Sequence, residues 1–178
     1  MLRYLVALGF ISAPWTTAGF VSAQPPAPAA DRPGWSDVFV NLGMYSVTYE
    51  KPVVGKGEKP DTYSQKAIYS WTGGRYEVLE ITLARDPAFK DKYSAEALKK
   101  EKNPPKELEV NKKKAWQWEF TGDEGKFNRL ARRLVVMLDA DKAIIIDQKG
   151  FGLDLKDDVA KKFDFAKVEK ALSSPPKQ

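Results

Sequence analysis

The chain has 178 residues and a net charge of +5, and 43% of its residues are hydrophobic and 12% aromatic. This composition is too apolar for a disordered chain, and the length fits one domain with short additional segments. The sequence contains no histidine and no cysteine, which excludes Ser-His-Asp and Cys-His relays, disulfides, and the usual zinc and copper ligand sets. Carboxylate catalysis, a Ser-Lys arrangement and oxygen-ligated calcium or magnesium sites remain open.

The N-terminal segment has the pattern of a secretory signal. Arg3 precedes a largely apolar stretch from Tyr4 to about Val21, and small side chains lead up to Ala23. We expect a signal peptide over residues 1–23 that is cleaved after Ala23. Pro14, Thr16 and Thr17 interrupt the apolar stretch, which favours cleavage over an uncleaved membrane anchor. We therefore expect no transmembrane segment after cleavage. An exported chain without cysteine suits a bacterial periplasm or cell surface, so we expect a secreted or periplasmic protein.

The segment after the predicted cleavage site is rich in proline and alanine. Residues 24–34 therefore predict an extended tether, and the composition changes at Trp35, where we place the start of a single domain over residues 35–172. Val38 to Glu50 is rich in β-branched and aromatic residues and predicts a strand. Lys51 to Asp61 contains prolines and glycines and predicts an exposed loop.

The pair Gly73-Gly74 predicts a tight hairpin between Tyr63–Thr72 and Arg75–Arg85, because glycine readily adopts the positive φ angles of a two-residue turn. The alternating aliphatic residues of the second arm are expected to face the core, and Glu77 is expected to face solvent. Those aliphatic residues are Leu79, Ile81 and Leu83.

A short helical segment is predicted next. Asp86-Pro87 and Ser94 are both suitable starts for a helix, and Pro104-Pro105 ends the stretch of helix-forming residues. We expect one or two short helices here.

Two further hairpins follow. Glu107–Val110 and Ala115–Phe120 flank a basic tip at Asn111–Lys114. The second hairpin joins the aliphatic runs Arg132–Leu138 and Ala143–Asp147. Because both faces of these runs are apolar, we expect them at the centre of the sheet.

The chain ends in a predicted amphipathic helix within Asp157–Leu172, with Asp164 as a cap and apolar residues at helical spacing. Residues 173–178 predict a flexible tail. The predicted fold class is therefore α+β: an antiparallel β-sheet of about six to seven strands, with the short helical segment and the C-terminal helix packed on it.

The candidate binding surface combines the basic tip with nearby aromatic residues. Lysines beside tryptophans can bind a polyanion or an envelope glycan by charge and stacking. Aromatic residues that alternate along a strand are equally common where the strand buries one face in the core. The exposure of the tryptophan rings decides between a binding surface and core packing. The candidate residues are Lys112, Lys113, Lys114, Trp71, Trp116 and Trp118.

No catalytic, metal or cofactor site is predicted. The acidic pairs Asp123-Glu124, Asp139/Asp141 and Asp157-Asp158 lack the spacing of a calcium loop. Glu77 with Glu80, or Glu107 with Glu109, would need a cleft between two carboxylates to act on a glycan, and the sequence indicates none.

The segment from Glu107 to Leu172 resembles the PsbP-like group. The resemblance is carried by the run from Lys114 to Phe120, the two aliphatic runs above, and Asp164 to Val168. It implies an α/β/α sandwich around an antiparallel sheet, typical of small non-catalytic accessory proteins that dock on larger assemblies. It supplies no site residues.

These observations predict an exported, non-catalytic binding or accessory module of the bacterial cell envelope. The partner would be a protein or an envelope polymer, with no specific nucleic acid and no cofactor, and we expect a monomer. Two alternatives remain: a polyanion or envelope-glycan binder, and a carboxylate-dependent enzyme that acts on envelope glycans.

Overall fold

The structure is a computed structural model that describes residues 34–57, 61–71, 73, 77–120, 130–150 and 152–176. The predicted signal peptide and all but the last residue of the predicted tether lie outside the described residues. Among the residues that the structure describes, no helix has the length and apolar character needed to cross a membrane.

A single antiparallel sheet of eight strands forms the centre of the domain, which confirms the α+β class. The strands are β1 (Tyr45–Tyr49), β2 (Val53–Val54), β3 (Tyr63–Trp71), β4 (Glu77–Arg85), β5 (Lys106–Val110), β6 (Lys113–Glu119), β7 (Leu130–Asp139) and β8 (Lys142–Gly150). Their order is β1-β3-β4-β8-β7-β6-β5, and β2 also pairs with β3. The aliphatic hairpin β7–β8 is therefore central, as predicted.

The strand count is higher than the six to seven predicted, because the predicted loop over residues 51–61 contains β2. Val53 and Val54 pair with Ser64 and Tyr63 of β3, and two β-branched residues suit this extended position. The predicted first strand is also shorter than expected. Ser36–Val38 forms a 3-10 turn, and β1 begins only at Tyr45.

The hairpin β5–β6 has a shorter turn than the sequence indicated. Asn111 and Lys112 have φ angles of 47° and 65°, which are typical of a two-residue type I′ turn. Lys113 and Lys114 belong to β6, where they pair with Val110 and Glu109. The predicted tip of three lysines is therefore wrong, since only Lys112 lies in the turn.

Short helical elements lie on both sides of the sheet. They are α1 (Phe89–Lys92), α2 (Ala95–Lys99) and α3 (Phe165–Ala171), with a π turn at Leu155–Val159 and a 3-10 turn at Ala160–Lys162. The Ser94 hydroxyl accepts a hydrogen bond from the Ala97 amide, and the Asp164 carboxylate accepts one from the Lys167 amide. Ser94 and Asp164 thus cap helices as predicted, although the C-terminal helix starts later than Asp157. The predicted cap at Asp86 is wrong, since α1 has Ala88 at its N-cap and the Asp86 carboxylate accepts from the Ala88 amide.

Each face of the sheet has its own core. On the first face, Leu79, Ile81 and Leu83 of β4 are fully buried with Val168 and Leu172 of the α3 region. On the second face, α1 and α2 pack Phe89, Tyr93 and Leu98 against Trp116, Trp118 and Val135. The domain is therefore layered, with helical elements outside and the sheet between them.

Glu77 is buried, contrary to the prediction that it faces solvent. Its side chain is 6% exposed and accepts hydrogen bonds from the Tyr45 hydroxyl at 2.6 Å, the Gln148 amide at 2.7 Å and the Leu153 backbone at 3.1 Å. A Cβ atom at Gly152 would overlap this carboxylate. Burial, reinforced by the hydrogen bond to Glu77, raises the pKa of the Tyr45 hydroxyl above its usual 10.0.

Candidate functional site

A cavity of about 330 Å³ opens beside the α1–α2 segment, on the second face of the sheet. Its volume is at the lower end of the range of small-molecule sites. We name this cavity the Trp118 pocket. Its lining residues are Lys92, Tyr93, Glu101, Lys102, Asn103, Trp118, Phe120 and Arg133.

Trp118 and Arg133 stand side by side in the pocket because they are directly paired across β6 and β7. Side chains opposite each other on neighbouring strands share one face and lie close together. The Trp118 indole N–H donates to Glu101 Oε2 at 2.7 Å. This hydrogen bond ties the segment after α2 to the sheet and fixes the orientation of the ring.

Arg133 is held in place by Asp147 of β8. Its Nε and Nη2 atoms both donate to that carboxylate, Nη2 at 2.8 Å. This bidentate pair raises the pKa of Arg133 further above its usual value, so the guanidinium stays charged. Among the described residues, none accepts a hydrogen bond from Nη1, which is therefore available to a ligand.

Most of the other lining residues are either aromatic or positively charged. Tyr93 meets Trp118 edge-on, with ring centroids 6.3 Å apart, and burial raises the pKa of its hydroxyl. Phe120 is 36% exposed. Lys92 and Lys102 add two positive charges, and among the described lining residues Glu101 is the single carboxylate. The pocket can therefore bind a ligand that carries negative charge and presents a flat apolar surface.

Two polar atoms of the pocket remain available as hydrogen-bond acceptors. Asn103 donates its amide N–H to the Glu119 carbonyl at 2.8 Å, which leaves its Oδ1 without a donor among the described residues. Glu101 uses Oε2 for Trp118, and its Oε1 has no donor in that same part of the chain. The pocket thus offers hydrogen-bond acceptors for hydroxyl groups of a ligand, in addition to its positively charged side chains.

The structure describes no group of three or more acidic side chains that could hold a metal ion. Asp123-Glu124 lies outside the described residues. Glu77 and Glu80 are three positions apart on β4, so they lie on opposite faces of the sheet and do not form a carboxylate pair.

The predicted candidate surface is divided among separate places. Trp116 and Trp118 are 5% and 6% exposed, so most of each ring belongs to the second core. Lys114 lies over the Trp116 ring at 5.3 Å and pairs with Glu107. Lys113 points to the opposite face, where its ammonium contacts Glu169 and the Leu138 carbonyl.

Trp71 and Lys112 are not part of the Trp118 pocket. Trp71 lies at the end of β3 and packs edge-on against Tyr45 in the first core, with ring centroids 5.1 Å apart. Lys112 lies exposed in the β5–β6 turn. Of the six predicted residues, only Trp118 lines the pocket.

Sequence reasoning missed Arg133, Lys92 and Tyr93. Arg133 and Asp147 are charged residues inside two otherwise aliphatic runs, and this was the available signal that they form a pair. Their position next to Trp118 depends on the register between β6 and β7. The segment that joins these strands has no recognisable turn motif, so the sequence did not fix that register.

Comparison with known proteins adds no assignment, since no protein-family model, curated protein or solved structure matches this chain.

Proposed function

We propose that this chain is an exported, non-catalytic binding or accessory module of the bacterial cell envelope, and that the Trp118 pocket is its binding site. The observation that carries this proposal is the combination of Trp118, Tyr93 and Phe120 with Arg133, Lys92 and Lys102 in one cavity. Aromatic rings next to fixed cations bind ligands by stacking and charge.

Export and the envelope location are supported by the N-terminal pattern before Ala23 and by the lack of cysteine. The non-catalytic role is supported by the lack of histidine and cysteine, which removes the common nucleophile and base pairs. The PsbP-like resemblance of the segment from Glu107 to Leu172 favours an accessory role and stays part of the proposal.

One observation favours the competing class, a carboxylate-dependent enzyme acting on envelope glycans. Glu101 lines the pocket, and Asp147 lies behind Arg133. However, Asp147 is engaged by the guanidinium, and Glu101 accepts the Trp118 N–H. Each of these carboxylates therefore holds a side chain of the pocket in place, which favours the binding role.

The proposal is tested by nuclear magnetic resonance on the ¹⁵N-labelled protein. A soluble saccharide fraction and a soluble protein fraction of the bacterial envelope are added in turn, and the indole N–H signals are followed. We expect one fraction to shift the Trp118 signal. Trp71, in the first core, serves as an internal control that should not shift.

The result that would contradict the proposal is a titration in which neither fraction moves the Trp118 signal. The saccharide fraction is also analysed by mass spectrometry before and after incubation. Unchanged masses are expected for a binding protein, whereas shortened saccharides would identify the enzyme. In that case Glu101→Gln should abolish the cleavage.

A further inference from the structure

We propose that the Trp118 pocket binds a carboxylate-bearing sugar, that is, a uronate unit of an acidic envelope polysaccharide. This inference rests on the proposed function and names the ligand class of the same site. It follows from three features of the pocket, and a ligand has to match all three of them. They are a flat apolar surface, a concentration of positive charge, and free hydrogen-bond acceptors.

The flat surface comes from the aromatic residues. A sugar ring has one face made of C–H groups, and such a face packs on aromatic rings. Phe120 is the most exposed large aromatic side chain at the pocket, at 36%. Trp118 is more deeply set and is fixed by Glu101. A ligand that enters the pocket would therefore meet Phe120 first and the edge of Trp118 further in.

The positive charge suits the carboxylate of the sugar. Arg133 uses Nε and Nη2 to pair with Asp147, so its Nη1 atom can donate to a ligand. Lys92 and Lys102 line the same cavity, and neither forms an ion pair with a described carboxylate. The wall between Ala88 and Asn103 carries five lysines and three acidic residues, so the field around the mouth attracts anions.

The free acceptors separate an acidic sugar from other anions. Glu101 Oε1 and Asn103 Oδ1 can each accept a hydrogen bond, which the hydroxyl groups of a sugar can donate. A phosphate chain has no such donors. A nucleic acid has N–H donors on its flat bases, but its charges lie on the phosphate backbone away from those bases. A uronate instead carries its carboxylate on the same ring as its hydroxyl groups. The acidic sugar is the class that satisfies the rings, the cations and the acceptors.

The size of the cavity limits how much of a polysaccharide it holds. A volume of about 330 Å³ lies near the lower limit for ligand sites. We therefore expect one or two sugar units inside the pocket, with the remaining chain crossing the exposed lysines outside.

The probe is trigalacturonate, a trisaccharide that carries a carboxylate on each unit. Its fully methyl-esterified form has the same ring faces without the charge, and tripolyphosphate has charge without rings or hydroxyls. Calorimetry is combined with the Trp118 indole signal. Trigalacturonate should bind and shift Trp118, the ester should bind about tenfold or more weakly because it lacks the charged hydrogen bond, and tripolyphosphate should leave Trp118 unmoved.

Matched variants locate the binding. Phe120→Ala should weaken trigalacturonate binding by about tenfold through lost stacking, and Lys102→Gln by about threefold through one lost exposed charge. Val53→Ala removes an exposed apolar side chain on β2, and Lys170→Gln removes an exposed lysine of α3, which packs on the opposite face of the sheet. Both controls should keep the affinity of the unmodified protein.

Several results would overturn the inference. Equal binding of tripolyphosphate would identify a general polyanion site, and equal binding of the ester would remove the role of the charge. If neither saccharide shifts Trp118 but another envelope fraction does, the ligand class is wrong while the proposed function stands. If trigalacturonate binds without shifting Trp118, the uronate inference fails, and the proposed function fails as well when no envelope fraction shifts Trp118.

Discussion

Glu77 illustrates how a single residue can hold together distant parts of the chain. Its carboxylate receives donors from Tyr45 of β1, Gln148 of β8 and Leu153 of the following segment. A buried carboxylate is tolerated only when such donors replace the water it has lost. Gly152 leaves room for this contact because it has no side chain.

We predict that Glu77→Ala lowers the free energy of unfolding by about 3 kcal/mol, because three buried donors lose their acceptor. Glu77→Gln keeps an acceptor oxygen and should cost about 1 kcal/mol. Urea unfolding measures both. Glu109→Ala, an exposed carboxylate on the edge strand β5, is the control and should stay within about 0.5 kcal/mol. Equal stabilities for Glu77→Ala and the control would show that the network does not stabilise the fold.

The β5–β6 hairpin shows how a turn decides the position of charged side chains. With only Asn111 and Lys112 in the turn, the next two lysines enter β6 and point to opposite faces. Lys113 then contacts Glu169 beyond the first face, and Lys114 covers Trp116 on the second. A run that looks like one basic patch in the sequence is therefore dispersed by strand geometry.

Lys112 adopts a left-handed backbone conformation, with φ of 65°, that a residue with a Cβ atom adopts at a cost. We predict that Lys112→Gly raises the free energy of unfolding by about 0.5–1 kcal/mol, because glycine is preferred there in a type I′ turn. Thermal and urea unfolding check this value.

Lys114→Gly is the matched control for that substitution. The same change inside β6 should lower the stability, since glycine weakens a strand and the contacts with Glu107 and Trp116 are lost. A destabilised Lys112→Gly variant would mean that the lysine side chain, and not the backbone, matters in the turn.

Across the whole molecule the two faces of the sheet are unequal. The first face packs broadly against α3 and the turns around it. On the second face, α1 and α2 cover β6, β7 and part of β8. Further along that face, oppositely charged side chains of β3, β4 and β8 alternate. There Glu80 contacts Lys149 and Lys66, and Lys66 also contacts Glu50.

This charge network makes the stability of the domain depend on pH. The hydrogen bond from Lys149, assisted by Lys66, holds the pKa of Glu80 below its usual 4.5. A carboxyl whose pKa is lowered on folding stabilises the protein above its unfolded pKa. That stabilisation is lost as the pH falls through the lower pKa of the folded state.

We predict that Glu80→Gln is less stable than the unmodified protein by about 0.5–1 kcal/mol at pH 6, because the side chain still contacts water. This difference should shrink as the pH falls below 4.5. Chemical unfolding at a series of pH values measures both curves. A difference that stays constant down to pH 3 would show that Glu80 does not carry the effect.

Much of the fold could be predicted from the alternation of apolar and polar residues and from the residues that favour turns and helix caps. The second arm of the Gly73-Gly74 hairpin, the central position of β7–β8 and the caps at Ser94 and Asp164 all follow from local pattern. The additional strand β2 was not accessible, because two valines between prolines and glycines form a strand only when β3 lies alongside. Its formation is a tertiary effect.

The sequence by itself determined the α+β class, the core-facing aliphatic residues of β4, and the lack of thiol and imidazole chemistry, because these depend on composition and short-range periodicity. Tertiary structure alone decided that Trp118 lies beside Arg133, that Glu77 is buried and that the lysines after Asn111 separate. Each of these depends on strand register or on a contact between segments far apart in the chain. A shift of one residue in register would turn every side chain of a strand to the other face.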